Sequence, residues 1–277
     1  MSKVWFVTGC SSGFGRVLCE ELLKKGERVV ATARRVSAIE DLACDDCQCA
    51  TLDVTRAEEI KAAVSEAVER FGRIDVLVNN AGYGEMGVIE EFTIERAQRQ
   101  FDTNVFGVLR VQSEVLPVMR AQGSGHVLNI SSIAGLASFP FVGMYCATKH
   151  ALEAISEALA QEVEGFGIKV TLIEPGRFRT EFSGGSLRLP VAQDGPYRET
   201  TEDAIGRYAE IHGTQSGDPV KGCLAMINVV ESESPPLRLL LGPDAYEWAH
   251  EKIDSVRKEF AEWKAVSVGT DFDTQSS

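Results

Sequence analysis

Tyr145 and Lys149 stand four residues apart in the stretch Tyr145-Cys146-Ala147-Thr148-Lys149, where an apolar helical pattern begins. Residues at that spacing share one face of a helix. A free phenol titrates near pH ~10 and a free ammonium near ~10.4, so neither alone is a useful acid or base at neutrality. Side by side, the ammonium stabilises a phenolate and draws the tyrosine pKa toward the working pH. The spacing by itself is equally compatible with a solvated surface pair. A second stretch, Thr8-Gly9-Cys10-Ser11-Ser12-Gly13-Phe14-Gly15, lies between an apolar run and an amphipathic one. Glycines at such a turn let backbone approach a pyrophosphate, and the helix amino terminus adds free N–H groups and a positive dipole end. The spacing is GxxxGxG rather than GxGxxG, and a tight turn without a ligand is the competing reading. Arg34 and Arg35 follow Ala33 at the end of the second apolar run, and no carboxylate comes before Glu40. An NAD-binding chain usually places an acid there, about 20 residues past the glycines, to hold ribose hydroxyls. A guanidinium instead suits a ribose 2′-phosphate in charge and geometry, which favours NADP over NAD. Two solvated arginines opening the next helix are the alternative.

These groups need a scaffold, and the pattern supplies one. Short β-branched runs alternate with longer amphipathic runs. Val4–Thr8, Arg28–Ala33, Gln48–Asp53, Ile74–Val78, His126–Ser131, Lys169–Ile173 and Leu237–Leu241 read as strands. Gly13–Lys25 and Arg56–Phe71 read as helices closed by Gly26 and Gly72. A long helix is expected over Ile94–Gln122, interrupted near Pro117, and the Tyr145 helix runs to about Phe166. This alternation predicts an α/β fold: one doubly wound parallel sheet of seven strands, helices on both faces, right-handed crossovers. Residues 1–277 then form a single dinucleotide-binding catalytic domain. The irregular, glycine-rich 183–222 segment is expected to be functional or mobile, and 271–277 to be a flexible tail.

Composition bounds the function. With 28 basic and 41 acidic residues the net charge is −13. An acidic chain without a basic block is a poor partner for nucleic acid or an anionic membrane. The chain enters a strand pattern at once, without a signal peptide or a long apolar run, so a soluble cytoplasmic protein is expected. Seven cysteines, an odd number, are expected as reduced thiols. Cys44, Cys47 and Cys49 form a CxxCxC cluster, but no histidine lies beside it, and no metal is expected.

Thr8–Gly15, Asn79-Asn80-Ala81-Gly82, Asn104 within Asp102–Gly107, Ser132, Tyr145-x-x-x-Lys149 and Pro175-Gly176 occur in that order. Together they resemble the short-chain dehydrogenase/reductase family in its classical subtype, over about residues 3–182. The chain looks most similar to a bacterial branch related to 17β-hydroxysteroid and retinol dehydrogenases. The resemblance implies a single Rossmann-type domain using a nicotinamide cofactor. It implies Tyr145 as general acid in reduction and base in oxidation. Lys149 would lower the tyrosine pKa and bond the nicotinamide ribose, and Ser132 would hold the substrate oxygen, with Ser131 the competing choice. Asn104 would order a water behind Lys149.

For the cofactor, the resemblance implies Gly9, Ser11, Ser12, Gly13, Phe14 and Gly15 around the pyrophosphate, with Arg34 and Arg35 at the 2′-phosphate. Asp53 and the Val54 amide would meet the adenine, with a helix N-cap the other reading of Asp53. Asn80, Ala81 and Gly82 would flank the adenosine, and Pro175, Gly176, Phe178 and Thr180 the nicotinamide. Many NADP-preferring relatives carry a basic residue in the glycine loop, where this chain has Cys10, Ser11 and Ser12. Tyr83, Met86, Leu136, Phe139, Phe141, Val142, Phe178 and the 183–220 segment would line the substrate side. Their apolar character suits a hydrophobic ketone, aldehyde or secondary alcohol. Cys146 and His150 are read as packing residues. A homodimer or homotetramer through the 94–122 and 144–166 helices is expected by analogy. A cofactor-sensing regulatory protein on the same fold is the competing class; such proteins typically lose the tyrosine or lysine.

Overall fold

The computed structural model describes residues 2–190 and 192–272. Seven strands form one sheet: β1 Val4–Val7, β2 Arg28–Ala33, β3 Cys47–Thr51, β4 Val76–Asn79, β5 Gly125–Ile130, β6 Ile168–Pro175 and β7 Arg238–Leu241. Their spatial order is β3-β2-β1-β4-β5-β6-β7, every neighbouring pair parallel. All four residues of β1, Val-Trp-Phe-Val, are buried, as is the run through β4. Continuous apolar strands of this kind are buried on both faces by helices.

On one face, Leu18, Cys19 and Leu22 of α1 (Gly13–Lys24) pack with Cys223, Met226 and Ile227 of α7 (Pro219–Glu231). On the other, α2 (Ala57–Phe71), α4 (Gly107–Gln122) and α5 (Gly143–Val163) contribute Ile60, Val64, Val111, Val115, Leu159 and Val163. Strand order reverses between β1 and β4, and the crevice at their carboxyl ends is where ligands bind in such sheets.

The expected long helix differs from expectation. α3 (Ile94–Phe101) passes through a π-helical turn, Asp102–Phe106, into α4, which runs on through Pro117. Pro117 and Ser113 both lie on the exposed face of α4, so water can satisfy the carbonyl that the proline leaves unpaired. The break falls instead at the π turn, which rotates Asn104 and Val105 inward. Residues 183–222 are less irregular than expected. They hold α6 (Arg198–Ile211), the start of α7, and a two-residue strand Leu187–Arg188 paired with Gly84–Glu85. Beyond β7, α8 (Pro243–Glu262) and α9 (Lys264–Val268) end the fold. The expected tail falls, from residue 273 on, outside the described residues.

All seven cysteines are unpaired. Cys44 is exposed and bridges backbone to Cys47, which opens β3 and joins the core with Cys19. No group of three metal-binding side chains converges among the described residues.

At the carboxyl end of the sheet, Glu174 of β6 has 0% of its surface exposed and Glu153 of α5 has 5%. Arg238 of β7 reaches Glu153 at 3.1 Å and Glu174 at 3.6 Å. One guanidinium between two buried carboxyls leaves one charge uncompensated. Burial, and then Glu153, push the Glu174 carboxyl up to about 8. Between the usual carboxyl range and pH 8 the native state therefore binds a proton that the unfolded chain has released. That stabilisation is complete at low pH and is lost as pH rises through about 8. Glu174→Gln, neutral at every pH, is expected to melt close to wild type at pH ~5 and at least about 3 °C above it at pH ~9. Thermal melts by circular dichroism at the two pH values check this; parallel curves would refute the shared proton.

Candidate active site

The crevice opens into a cavity of about 860 Å³. Its outer end holds Arg34 and Asp53, its middle the glycine loop and Asn80–Gly82, and its inner end Ser132, Tyr145 and Lys149. Gly9 and Gly13 have φ of +74° and +59°, a region that disfavours side chains. A Cβ on Gly9 would lie 2.9 Å from the Ala81 Cα, and one on Gly15 would lie 2.5 Å from Asn80 Nδ2 and from the Gly9 carbonyl oxygen. Gly15 thus does not line the cavity but brings the helix against the turn. Ser12, the N-cap of α1, makes no side-chain capping bond, and no acidic residue lies in the first turn. The first N–H groups face the cavity with no side chain capping them, a cradle for phosphate. Thr180 sits across from Gly13, its Cβ 3.8 Å from where a glycine Cβ would be. A cavity of this volume, with such a cradle in its wall, fits a dinucleotide.

At the outer end Arg34 is exposed and forms no ion pair among the described residues. Arg35, also exposed, does not line the cavity. Burial raises the Asp53 pKa, but the Thr55 amide and hydroxyl, with Arg34, outweigh it and leave the carboxyl below its usual value. Asp53 Oδ1 accepts from those two groups at 2.9 and 2.7 Å, so it caps the local turn while lining the cavity. Val54 is buried and packs against Gly107. Near the nicotinamide end, a Cβ on Gly176 would meet Asp244 at 2.2 Å, and Asp244 accepts the Arg177 amide at 2.8 Å. Phe178 packs against Phe14 at a tilt of 56°, with centroids 5.0 Å apart.

At the inner end Lys149 is buried, and its Nζ donates to the Ile130 carbonyl at 2.6 Å and lies 5.7 Å from the Tyr145 ring centroid. Burial lowers its pKa to about 8, with Glu153 opposing. Burial also raises the Tyr145 phenol, and a hydrogen bond with Ser132 draws it back in part. Lys149 is not among the groups that shift the phenol, so the expected lowering by the ammonium is not seen, and loss of water dominates. Ser132 Oγ accepts the Ala134 amide at 3.1 Å, which fixes its side of the strand end. Ser131, the competitor, has a buried hydroxyl without a partner among the described residues. Asn104 lies behind the wall rather than in it: Oδ1 accepts the Tyr83 amide at 3.0 Å, and Nδ2 donates to the Tyr83 carbonyl at 2.8 Å and to Thr148 Oγ1 at 3.1 Å.

Of the expected substrate-side residues, Tyr83, Phe139, Phe141, Val142 and Phe178 line the cavity; Met86 and Leu136 face packed clusters instead. Cys146 is core, whereas His150 is exposed and bonds the Cys146 carbonyl, so the packing reading fails for the histidine. Tyr208 and Ile211 of α6 line the cavity within the expected 183–220 segment, though sequence reasoning did not single them out, and it missed Trp248 of α8. The spacing Thr201, Ala204, Tyr208, Ile211 is the signal that could have found α6.

A parallel doubly wound sheet with this cradle and a Ser-Tyr-Lys set at one cavity end defines a dinucleotide-binding oxidoreductase. Residues 3–188 match the model of the short chain dehydrogenase family, and the chain belongs to that family. A short-chain dehydrogenase from Streptomyces avermitilis superposes with a TM-score of 0.90 and 43% identity, over 98% of this chain and 100% of that one. An oxidoreductase of Botryotinia fuckeliana, BOA17, is 36% identical over 98% of this chain and 100% of its own length. An alcohol dehydrogenase from the archaeon Thermococcus sibiricus, solved with 5-hydroxy-NADP, matches with a TM-score of 0.71 and 25% identity, over 87% and 96% of the two chains.

Gly15→Ala tests the cradle. The added methyl must displace Asn80 or the Gly9 carbonyl, so a stability loss of about 1–3 kcal/mol is expected together with at least tenfold weaker dinucleotide binding. Thermal melting and fluorescence titration with NADPH and NADH read the two effects; unchanged binding would disprove the close helix approach.

Proposed function

We propose that this protein is an NADP-dependent carbonyl reductase or alcohol dehydrogenase acting on hydrophobic ketones, aldehydes or secondary alcohols. The observation that carries the reading is the convergence of Ser132, Tyr145 and Lys149 on the wall of one apolar-lined cavity. NADPH, when bound, supplies the hydride that reaches the carbonyl carbon. The charge that develops on the carbonyl oxygen needs a proton and a hydrogen-bond donor. Tyr145 gives the proton, and burial keeps its phenol protonated for that purpose. The Ser132 hydroxyl bonds the same oxygen. Lys149 bonds the nicotinamide ribose and, held by the Ile130 carbonyl, stabilises the phenolate left behind. Asn104 positions the Tyr83 backbone and, through a water, serves proton return to Lys149. In oxidation the steps reverse.

NADP rather than NAD is supported by Arg34, unpaired at the cavity end, and by the absence of an acid at Ala33. Gly9–Gly15, Asp53, Val54, Asn80–Gly82, Pro175, Gly176, Phe178 and Thr180 contact the rest of the cofactor in this reading, with Arg35 a secondary partner of the phosphate. The 183–222 segment covers the substrate. The motif set also supports kinship with the 17β-hydroxysteroid and retinol dehydrogenase branch. Seven free thiols favour a reducing compartment such as the cytoplasm. Exposed Phe106, at the end of the π turn, and Leu109 on α4 favour pairing of copies through that helix.

Tyr145→Phe keeps the ring and removes the proton. Turnover is expected to fall at least about a hundredfold with NADPH binding retained. Near-normal turnover in a 340 nm assay over a ketone panel would sink the assignment.

Cofactor choice is tested separately. A guanidinium–phosphate contact is worth about 1.5–3 kcal/mol, hence a ten- to hundredfold preference for NADP. Ala33→Asp with Arg34→Ala should reverse that preference, because the new carboxylate accepts from ribose hydroxyls and repels the phosphate. The ratio of kcat/KM with the two cofactors on one ketone decides; an unmoved ratio makes Arg34 an ordinary solvated residue.

A further inference from the structure

We propose that the substrate carries an anionic group, a carboxylate or a phosphate, at the end of an apolar body away from the reacting carbonyl, and that Arg177, Arg188 and Arg207 receive it. The proposal rests on the carbonyl reductase reading and sharpens its substrate class. It begins from a contrast of charge. The chain holds 41 acidic and 28 basic residues, yet its cavity is lined by six cations and two acids, Asp53 and Asp102. Both acids are engaged. Asp102 pairs with Arg110 at 2.7 Å, and Asp53 bonds Thr55 at the adenosine end. Lys149 and Arg34 have places in the chemistry and at the ribose phosphate. That leaves Arg99, Arg177, Arg188 and Arg207 on the substrate side.

Elsewhere in the fold, Arg16, Arg56, Arg73, Arg96, Arg110, Arg198, Arg238 and Arg257 each hold a carboxylate, Arg28, Arg70 and Arg179 donate to backbone carbonyls, Arg120 lies over Phe166, and Arg35 stands exposed. No cavity arginine pairs with a carboxylate among the described residues. In a chain with this excess of acids, cations left unpaired at one cavity mouth point to an anion that comes from outside. Three separate elements supply Arg177, Arg188 and Arg207: the loop after β6, the Leu187–Arg188 strand and α6. Two are held over aromatic rings, Arg177 at 5.1 Å from Trp248 and Arg188 at 4.6 Å from Tyr83. A stacked guanidinium keeps its donor edge free for a carboxylate or phosphate. The Arg177 charge also reaches Tyr208, the neighbour of Arg207 on α6.

Depth sets the polarity of the ligand. Tyr145 lies inside, packed on Phe182 and the apolar cluster of Met86, Val142 and Leu187. The arginines are exposed at the rim. A bound molecule therefore places its carbonyl inward, its apolar chain along Phe139, Leu187, Ala204 and Ile211, and its charge at the mouth.

The test uses the full chain with NADPH and three methyl ketones on one apolar chain: 9-oxodecanoate, its methyl ester and 8-oxononyl phosphate. At low salt, kcat/KM for at least one anion should exceed that for the ester about tenfold or more, and the better anion identifies the group. In Arg188→Ala/Arg207→Ala the anion-to-ester ratio should fall about tenfold or more, and added salt should erode the wild-type ratio. An ester used as well as both anions, or a variant that lowers all three alike, overturns the proposal while leaving the reductase reading intact. If none of the three is reduced, calorimetry of the NADP-bound protein decides the anion site alone, and the reductase reading is left to the ketone panel. Decanoate binding at least tenfold tighter than decanol supports it; equal or absent binding of both overturns it.

Discussion

The site depends on one small set of hydrogen bonds at the fork of the sheet. The Thr8 hydroxyl accepts the amides of Asn80 and Ala81, each at 3.0 Å, and Asn80 Nδ2 donates to the Thr8 and Gly9 carbonyls at 2.8 and 3.0 Å. Buried backbone polar groups must be paired, and here the loops after β1 and β4 pair with each other. That latch sets the width of the crevice and leaves the α1 amino terminus pointing into it. The chain of bonds continues. Asn104 clamps both backbone groups of Tyr83 and reaches Thr148, whose hydroxyl donates to the Tyr145 carbonyl at 2.7 Å. The glycine-loop cradle and Tyr145 are thereby held in one continuous framework, 136 positions apart in sequence between Gly9 and Tyr145.

Electrostatics at the inner end work against solvation on every side. Lys149 is drawn down toward neutrality and Tyr145 is pushed up, both by burial first. The two shifts move the ammonium and phenol apart in acidity: the lysine gives up its proton more readily, and the phenol holds its own more firmly. Glu153, one helical turn beyond Lys149, favours the charged ammonium. Glu174 then limits how much negative charge that corner holds, because its own carboxyl keeps a proton to about pH 8. The carboxyl pair is thus a buffer behind the lysine rather than a second anion beside it.

Much of this was legible in the sequence, and the reason differs by element. The strands announce themselves because a parallel sheet is buried on both faces, so β1 is an unbroken apolar run, and β4 and β6 are rich in Val, Leu and Ile and almost wholly buried. The glycine loop and the Tyr145–Lys149 pair are legible because close approach and helix spacing each demand particular residues at fixed intervals. Pro117 misled because a proline on a wet helix face costs less than one in the core, while the π turn at Asp102–Phe106 leaves no residue signature of its own. α6 hid among polar residues, with only Thr201 and Ala204 fully buried. Asp244 was invisible because its partners, the Gly176 surface and the Arg177 amide, lie 67 positions away or more.

The irregular backbone of the molecule gathers around the substrate side of the cavity, and this has a physical consequence. Phe141, with φ +65°, is the one non-glycine residue at positive φ among the described residues, and its carbonyl accepts the Gly87 amide at 2.8 Å. Two π-helical turns, Asp102–Phe106 and Phe182–Ser186, border the same region. Such geometries persist only where surrounding contacts over-determine them, and they concentrate at functional sites. The cofactor half, by contrast, is built from strand ends and a regular helix start. A change in the chamber wall, in α6 or in the rim arginines leaves the Thr8–Asn80 latch and the sheet untouched. Substrate choice can therefore be retuned in the irregular segments while hydride chemistry stays fixed in the regular ones.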